Sequence, residues 1–333
     1  MTSRELIKDI INGKAVERCA FWMGQPHKDT WPLLLDYFNV DSQAEVRAKL
    51  NDDIIWLAGD GSYKSPDGGP TFPNPRKGEG LSCAGVFSEC TDVAKVDEYP
   101  WPDPANFDFS ELIEKLKSSG EVYRASGLWS PFFHIVGDMF GMENYFIKMY
   151  TDPEVVQAVT TRIVDFYLAG TRKLFEEAGD EIDAFFFGND FGTQLDTLIS
   201  PDCFETFVFP YFRKLTELGH EFDKHVILHS CGSIYKVIPR LLELGVDVLH
   251  PLQAKAANMD ADKLAQFKGK VTFLGGIDTQ DLLMNGSPED IKVDVKRVMD
   301  ILGPQLIVSP SHECLLPNIP PQNVEAMSQA VFE

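Results

Sequence analysis

The 333-residue chain lacks several features that would assign it at once. No apolar stretch approaches the roughly 20 residues needed to cross a bilayer. The first segment, Met1 to Lys14, mixes charges with Ile and Leu at helical spacing. It has neither the apolar block nor the small-residue cleavage site of a secretion signal, which points to the cytoplasm. Basic residues are scarce: 30 Lys and Arg face 51 Asp and Glu, a net charge of -21. A field of that sign repels phosphate backbones and anionic lipid, so nucleic acid and membrane surfaces are poor partners. The six cysteines (Cys19, Cys83, Cys90, Cys203, Cys231, Cys314) follow no framework spacing. In a reducing cytosol they are thiols, and a special one must be identified from its neighbours. There is no internal repeat, and Gly275-Gly276 is not followed by the spacing of a phosphate loop.

What is present is alternation. Short apolar runs separate longer amphipathic segments, the pattern of parallel strands joined by helices. Strands are expected at 18–23, 53–57, 122–127, 183–188, 225–229, 246–250, 271–275 and 305–309. Most are continuously apolar, as strands covered on both faces are. Helices are expected over Pro153 to Ala178, with Asp152 as N-cap, over Pro201 to His220, and over Ser233 to Leu244, stopped by Gly245. Eight strands with crossover helices suggest an α/β fold, a (β/α)8 TIM barrel in one domain spanning 1–333, with a doubly wound open sheet as the rival. Gly59 to Asn106 breaks the pattern, being rich in Pro, Gly and Ser. It reads as a long insertion after the second strand, with a hairpin around Leu81 to Phe87. Its aromatics (Tyr63, Phe72, Phe87, Tyr99, Trp101) imply that it packs against something.

The sharpest local signal is Val226-Ile-Leu-His-Ser-Cys-Gly232, an apolar strand running into His229 with Cys231 two residues on. Residues i and i+2 of a strand share a side, so imidazole and thiol can converge at the strand's C-terminal end, where barrels keep their chemistry. Both are good zinc ligands. The alternative is a core histidine beside an inert cysteine. The last strand delivers three more candidates in a row, His312-Glu313-Cys314. With the fifth and eighth strand ends facing each other across the mouth, a shared metal with three protein ligands and one open position is expected, the catalytic zinc arrangement.

These segments resemble the uroporphyrinogen decarboxylase superfamily, and within it the cobalamin-dependent methyltransferases: methylcobamide:coenzyme M methyltransferases and the zinc methyltransferases of bacterial O-demethylase systems. The resemblance is carried by His229-Ser-Cys-Gly232, Leu274-Gly-Gly-Ile-Asp-Thr-Gln280, Ser309-Pro-Ser-His-Glu313 and Pro320-Pro-Gln-Asn-Val-Glu-Ala-Met327, and extends from about residue 120 to the end. It implies zinc on His229 and Cys231. Ungapped counting from Pro320 puts the third ligand at Glu313; a one-residue slip brings Cys314 there instead, with His312 behind. It also implies a corrinoid supplied by a separate corrinoid-binding protein, and methyl transfer between its cobalt and a small molecule, either a methoxylated donor or a thiol. A homodimer is compatible with it. Met23 to Trp31 has no arginine, unlike the substrate-binding motif of true uroporphyrinogen decarboxylases, so that activity is not expected. A metal-dependent lyase or hydrolase, or a binding protein on the same barrel, are the competing classes.

Other candidates sit at strand ends. Asn189 and Asp190 follow the fourth strand and suit a general acid or a hydrogen bond to substrate, or merely a helix cap. Asp278 follows Gly275-Gly276, as a substrate contact or a loop-ordering residue. Trp129, Phe132, Phe133 and His134 follow the third strand and could wall an apolar pocket or cap a corrin ring, or simply pack in the core. Trp22, Met23 and His27 near the first strand carry the same ambiguity.

Overall fold

The computed structural model describes residues 1–73 and 83–333. The strands, in chain order, are β1 (Ala20–Phe21), β2 (Gln25–Pro26), β3 (Ile54–Ala58), β4 (Tyr123–Gly127), β5 (Ala184–Gly188), β6 (His225–His229), β7 (Val248–His250), β8 (Thr272–Ile277), β9 (Leu306–Pro310) and β10 (Cys314–Leu315). Eight of them form one parallel sheet in the order β1-β9-β8-β7-β6-β5-β4-β3. This is the expected (β/α)8 barrel, and every expected strand is present. β2 and β10, which periodicity did not signal, form a separate two-stranded parallel clip at the mouth.

The seam between β1 and β3 closes with few main-chain bonds. Asp53 N donates to Phe21 O at 2.9 Å, and Phe21 N and Met23 N donate to the carboxylates of Asp53 and Asp52. The same device recurs along the N-terminal rim. Asp53, Asp183 and Asp247 each precede a strand and accept from a backbone N–H of the neighbouring strand: Phe21, Arg124 and Val226. Each is also countered by a base: Arg18 on Asp53, Arg4 and Lys8 on Asp183, His220 on Asp247. The buried carboxylates of Asp53 and Asp183 are tolerated because both of their oxygens are hydrogen-bonded.

Alternation along the strands sorts the two cores. Phe186, Ile227, Val248 and Ile307 fill the barrel, whereas Phe185, Phe187, Leu228 and Leu249 face the helices. The helix Pro153–Ala178 has the expected bounds; the Asp152 carboxylate is held by Lys148 and Thr151 rather than capping it. The stretch expected as one helix over 201–220 is two, Pro201–Phe207 and Phe209–Glu221, because Pro210 supplies no N–H and its ring crowds the preceding turn. The helix after β6 begins only at Ile238, since Ser233 is used in loop bonds to Thr193 O and Ala257 O. It stops at Gly245, φ +93°. In the insertion, Tyr63 and Phe72 pack on Phe166, and Phe87 on Phe140, as the aromatic content implied. Of the expected hairpin, Leu81 and Ser82 lie outside the described residues, and Cys83 to Phe87 contain no strand. Among the described residues no helix is long and apolar enough to cross a membrane.

Candidate metal centre

β6 ends at His229, whose buried ring points into the barrel mouth. Its Nε2 lies 3.3 Å from Cys231 Sγ and 3.2 Å from Asp190 Oδ1. Asp190 is held there because Cys231 N donates to its Oδ1 at 2.8 Å. The loops after β5 and β6 come this close only through two glycines: a Cβ on Gly192 would lie 2.6 Å from Ser233 N and 2.7 Å from Gly232 C. Gly232 also adopts φ +81°, open chiefly to glycine. Asp190, His229 and Cys231 thus bring carboxylate, imidazole and thiol within 4.8 Å of one another.

The other ring nitrogen has different company. His229 Nδ1 is 3.1 Å from His250 Nδ1 and 3.3 Å from Glu313 Oε2. The sequence suggested Glu313 beside His229 and Cys231 with Asp190 as a catalytic group; the geometry brings Asp190 to the Nε2 side with Cys231 and Glu313 to the Nδ1 side. β6 and β9 are separated by β7 and β8 rather than facing each other, so the residues after β9 arrive at the Nδ1 side. The clip fixes them there: Cys314 pairs with Gln25, and Gln25 N donates to Glu313 O. Gly24 is required beneath, since a Cβ would lie 2.6 Å from that carbonyl. Cys314 lines a cavity of about 560 Å³ beside the centre, with Gln253, Thr279, Met284, His312 and Ile319. His312 contacts Cys231, closer to the thiol than its expected place behind Glu313.

Charged groups crowd together at this point. Burial pushes the Asp190 carboxyl up, but its hydrogen bond and attraction to His229 hold it well below the usual carboxylate range. Burial also raises the Cys231 thiol, yet His229 and His312 bring it below its ordinary value. His229 is opposed by burial but raised well above the usual histidine value by Glu313, Asp190 and Cys231. Two carboxylates and a thiol of lowered pKa therefore gather around two histidines, His229 and His312, both raised above the usual value. Glu313 Oε2 is moreover buried without a hydrogen bond. That is costly unless a cation takes the proton's place, and a soft sulfur with nitrogen and oxygen suits zinc. The residues fit such an ion.

The remaining candidates divide. Trp129 leans over the centre, its ring 5.0 Å from that of His229. It can do so because β5 ends in Gly188, where a Cβ would lie 2.2 Å from the indole. His134 Nε2 meets Asp190 O at 3.1 Å and buttresses that loop. Phe132 is fully buried in the outer core near Tyr211, not at the mouth, which corrects its reading as a cofactor contact. Asn189 is also buried, its amide spent on Phe133 N and Ser130 O, so it braces two loops rather than acting as an acid. Asp278 accepts from Gln280 N and Leu282 N, the loop-ordering role. Met23 is core, and His27 is near Asp29, away from the centre. His250 was missed, although Val248-Leu249-His250 repeats the pattern of an apolar strand ending in histidine.

Residues 84–333 match the uroporphyrinogen decarboxylase (URO-D) family. The chain belongs to that family. Among similar proteins is a methylcobamide:CoM methyltransferase, MtbA, of Methanosarcina acetivorans, 26% identical over 198 residues, 57% of this chain and 54% of that one. A methylated-thiol–coenzyme M methyltransferase of Methanosarcina mazei is 29% identical over 160 residues, 48% of this chain and 40% of that one. The chain thus spans about half the length of these curated relatives. A solved methyltransferase from Methanosarcina mazei superposes with a TM-score of 0.70 at 15% identity, covering 100% of this chain and 98% of its own, which supports the same barrel. The family match starts within the insertion, whereas the structural likeness includes the first strands.

Proposed function

We propose that this URO-D family protein is a zinc-dependent methyltransferase that moves a methyl group between a small molecule and the cobalt of a corrinoid carried by a separate protein. The observation that carries the reading is the convergence of Asp190, His229 and Cys231 at the open end of the barrel. The names of the relatives supply the reaction class. In this reading His229 Nε2, Cys231 and Asp190 hold the metal, and Glu313 steadies it from the Nδ1 side. Bound zinc supplies Lewis acidity, lowering the pKa of a thiol or polarising an ether oxygen.

The chain's own residues prepare that site. With Nε2 turned to the metal side, His229 keeps its proton on Nδ1, within reach of His250 Nδ1 and of the Glu313 carboxylate. This fixes the ring and its tautomer, as outer partners of metal-bound histidines do. Trp129 covers one side of the imidazole and excludes water from it. The side toward Cys314 and Met284 stays open, and the small molecule enters there. The donor is a methoxylated compound rather than coenzyme M, since a carboxylate ligand in place of a second thiolate departs from the coenzyme M enzymes. The protein acts in the cytoplasm.

The test is methyl transfer with reduced corrinoid protein against a panel of methoxylated aromatics and thiols, followed by the cobalamin spectrum. Zinc-dependent methylation of cobalt by a methoxy donor is the expected result. Zinc-dependent turnover without cobalt would instead indicate a hydrolase or lyase.

A further inference from the structure

Of the three donors at the centre, His229 ends a strand, whereas Asp190 and Cys231 lie on loops, and Cys231 is followed by a glycine at φ +81°. Glycine leaves that peptide the widest choice of directions, so the groups that bond it decide where the thiol points. Every main-chain N–H from Ser230 to Ser233 has an acceptor. Ser230 N and Ser233 N donate to the carbonyls of His250 and Thr193, which the fold supplies. Cys231 N donates to Asp190 Oδ1 at 2.8 Å, and Asp190 belongs to the donor set itself. The remaining one, Gly232 N, donates to a side chain outside that set, Gln253 Oε1 at 2.6 Å.

Gln253 lies past β7 and reaches the thiol loop from the side. Its amide is fixed at both ends: Oε1 accepts from Gly232, and Nε2 donates to Gln280 Oε1 at 3.2 Å. Both glutamines line the cavity of about 560 Å³ beside the centre. Gly232 is buried, so its N–H depends on a protein acceptor. Losing that acceptor frees the 231–232 peptide to turn, and with it the backbone that carries Sγ, now 3.3 Å from His229 Nε2. Holding the fold together does not by itself account for the glutamine. The loops after β6 and β7 are already joined by Ser233 Oγ, which donates to Ala257 O at 2.7 Å.

We infer that Gln253 is a positioning residue for the thiol ligand: by holding Gly232 N–H it directs Cys231 Sγ toward the point shared with His229 Nε2 and Asp190. The inference rests on reading this centre as a metal site, and one arm of its test is independent of metal. Gln253→Met keeps the length of the side chain and removes the acceptor; Gln253→Glu keeps the acceptor oxygen. Zinc affinity is measured by competition with a chelator, and cobalt(II) in place of zinc reports sulfur ligation through the thiolate-to-cobalt absorption band. Gln253→Met should bind zinc about 10–100-fold more weakly, as loss of a partner behind a ligand does, with a weakened band. Gln253→Glu should bind at least as tightly as wild type, with the band intact. In metal-free protein the amides of 230–233 should exchange faster in Gln253→Met and stay protected in Gln253→Glu. Unchanged zinc affinity or an unchanged band in Gln253→Met would overturn the inference. So would a lowered unfolding midpoint with metal binding intact, the mark of a purely structural bond. Wild-type protein that binds no metal would refute the proposed function. The exchange comparison would then still decide whether Gln253 holds the thiol loop, equal rates overturning it.

Discussion

The two ends of the barrel use the same residue type in opposite ways. At the N-terminal rim Asp53, Asp183 and Asp247 each meet a backbone N–H and a basic side chain. At the C-terminal mouth Asp190 and Glu313 meet a histidine and a thiol, and Glu313 Oε2 has no hydrogen bond. Satisfied carboxylates hold strands together. The unbonded oxygen of Glu313, beside the ligand set of Asp190, His229 and Cys231, marks where a cation is awaited. The contrast predicts that substitutions at the mouth remove chemistry and spare the fold, whereas those at the rim do the reverse.

The largest effect belongs to His229→Ala. It should abolish bound metal and methyl transfer, measured by metal analysis and turnover, while the circular dichroism spectrum stays native. Metal retained at one per chain would break the assignment. Asp183→Ala comes next, on the opposite side of the comparison. Removing it strands Arg4 and Lys8 and a strand N–H, which should cost roughly 3–5 kcal/mol in denaturant unfolding. A loss under about 1 kcal/mol would mean that rim pairing matters little. Glu313→Gln should weaken metal binding roughly 10–100-fold without removing it, as expected of a residue steadying a ligand rather than ligating. Complete loss would restore Glu313 as a ligand.

The smallest effect lies in the His220–Asp247 pair. Its hydrogen bond to Asp247 raises the His220 pKa above 6.5. The charged pair therefore stabilises fully below pH 6.5 and fades as pH rises through the folded value. Half exposed, it contributes less than about 1 kcal/mol. Melting curves of wild type and His220→Gln should converge as pH rises above 6.5; a constant gap would contradict the sign.

The sequence made the barrel legible because its strands are apolar on both faces, a signal that survives without any tertiary knowledge. It also exposed His229 and Cys231, since strand geometry alone puts i and i+2 on one side. It could not reveal Asp190's place, which depends on two glycines letting loops from neighbouring strands touch. Nor could it reveal the β2–β10 clip, whose two-residue strands are too short for periodicity, and this clip turns Glu313 to the far nitrogen. Phe132 and Asn189 misled for a related reason: a residue just past a strand can turn outward as easily as toward the mouth. Trp56 Nε1 and His250 Nε2 are buried without a partner, a property of packing and not of order along the chain.

The most direct test of the central claim is the zinc-edge X-ray absorption spectrum of metal-loaded protein. The account predicts one sulfur among nitrogen and oxygen neighbours, lost in Cys231→Ser and unchanged in Cys314→Ser. Two sulfurs, or one that disappears with Cys314, would contradict it.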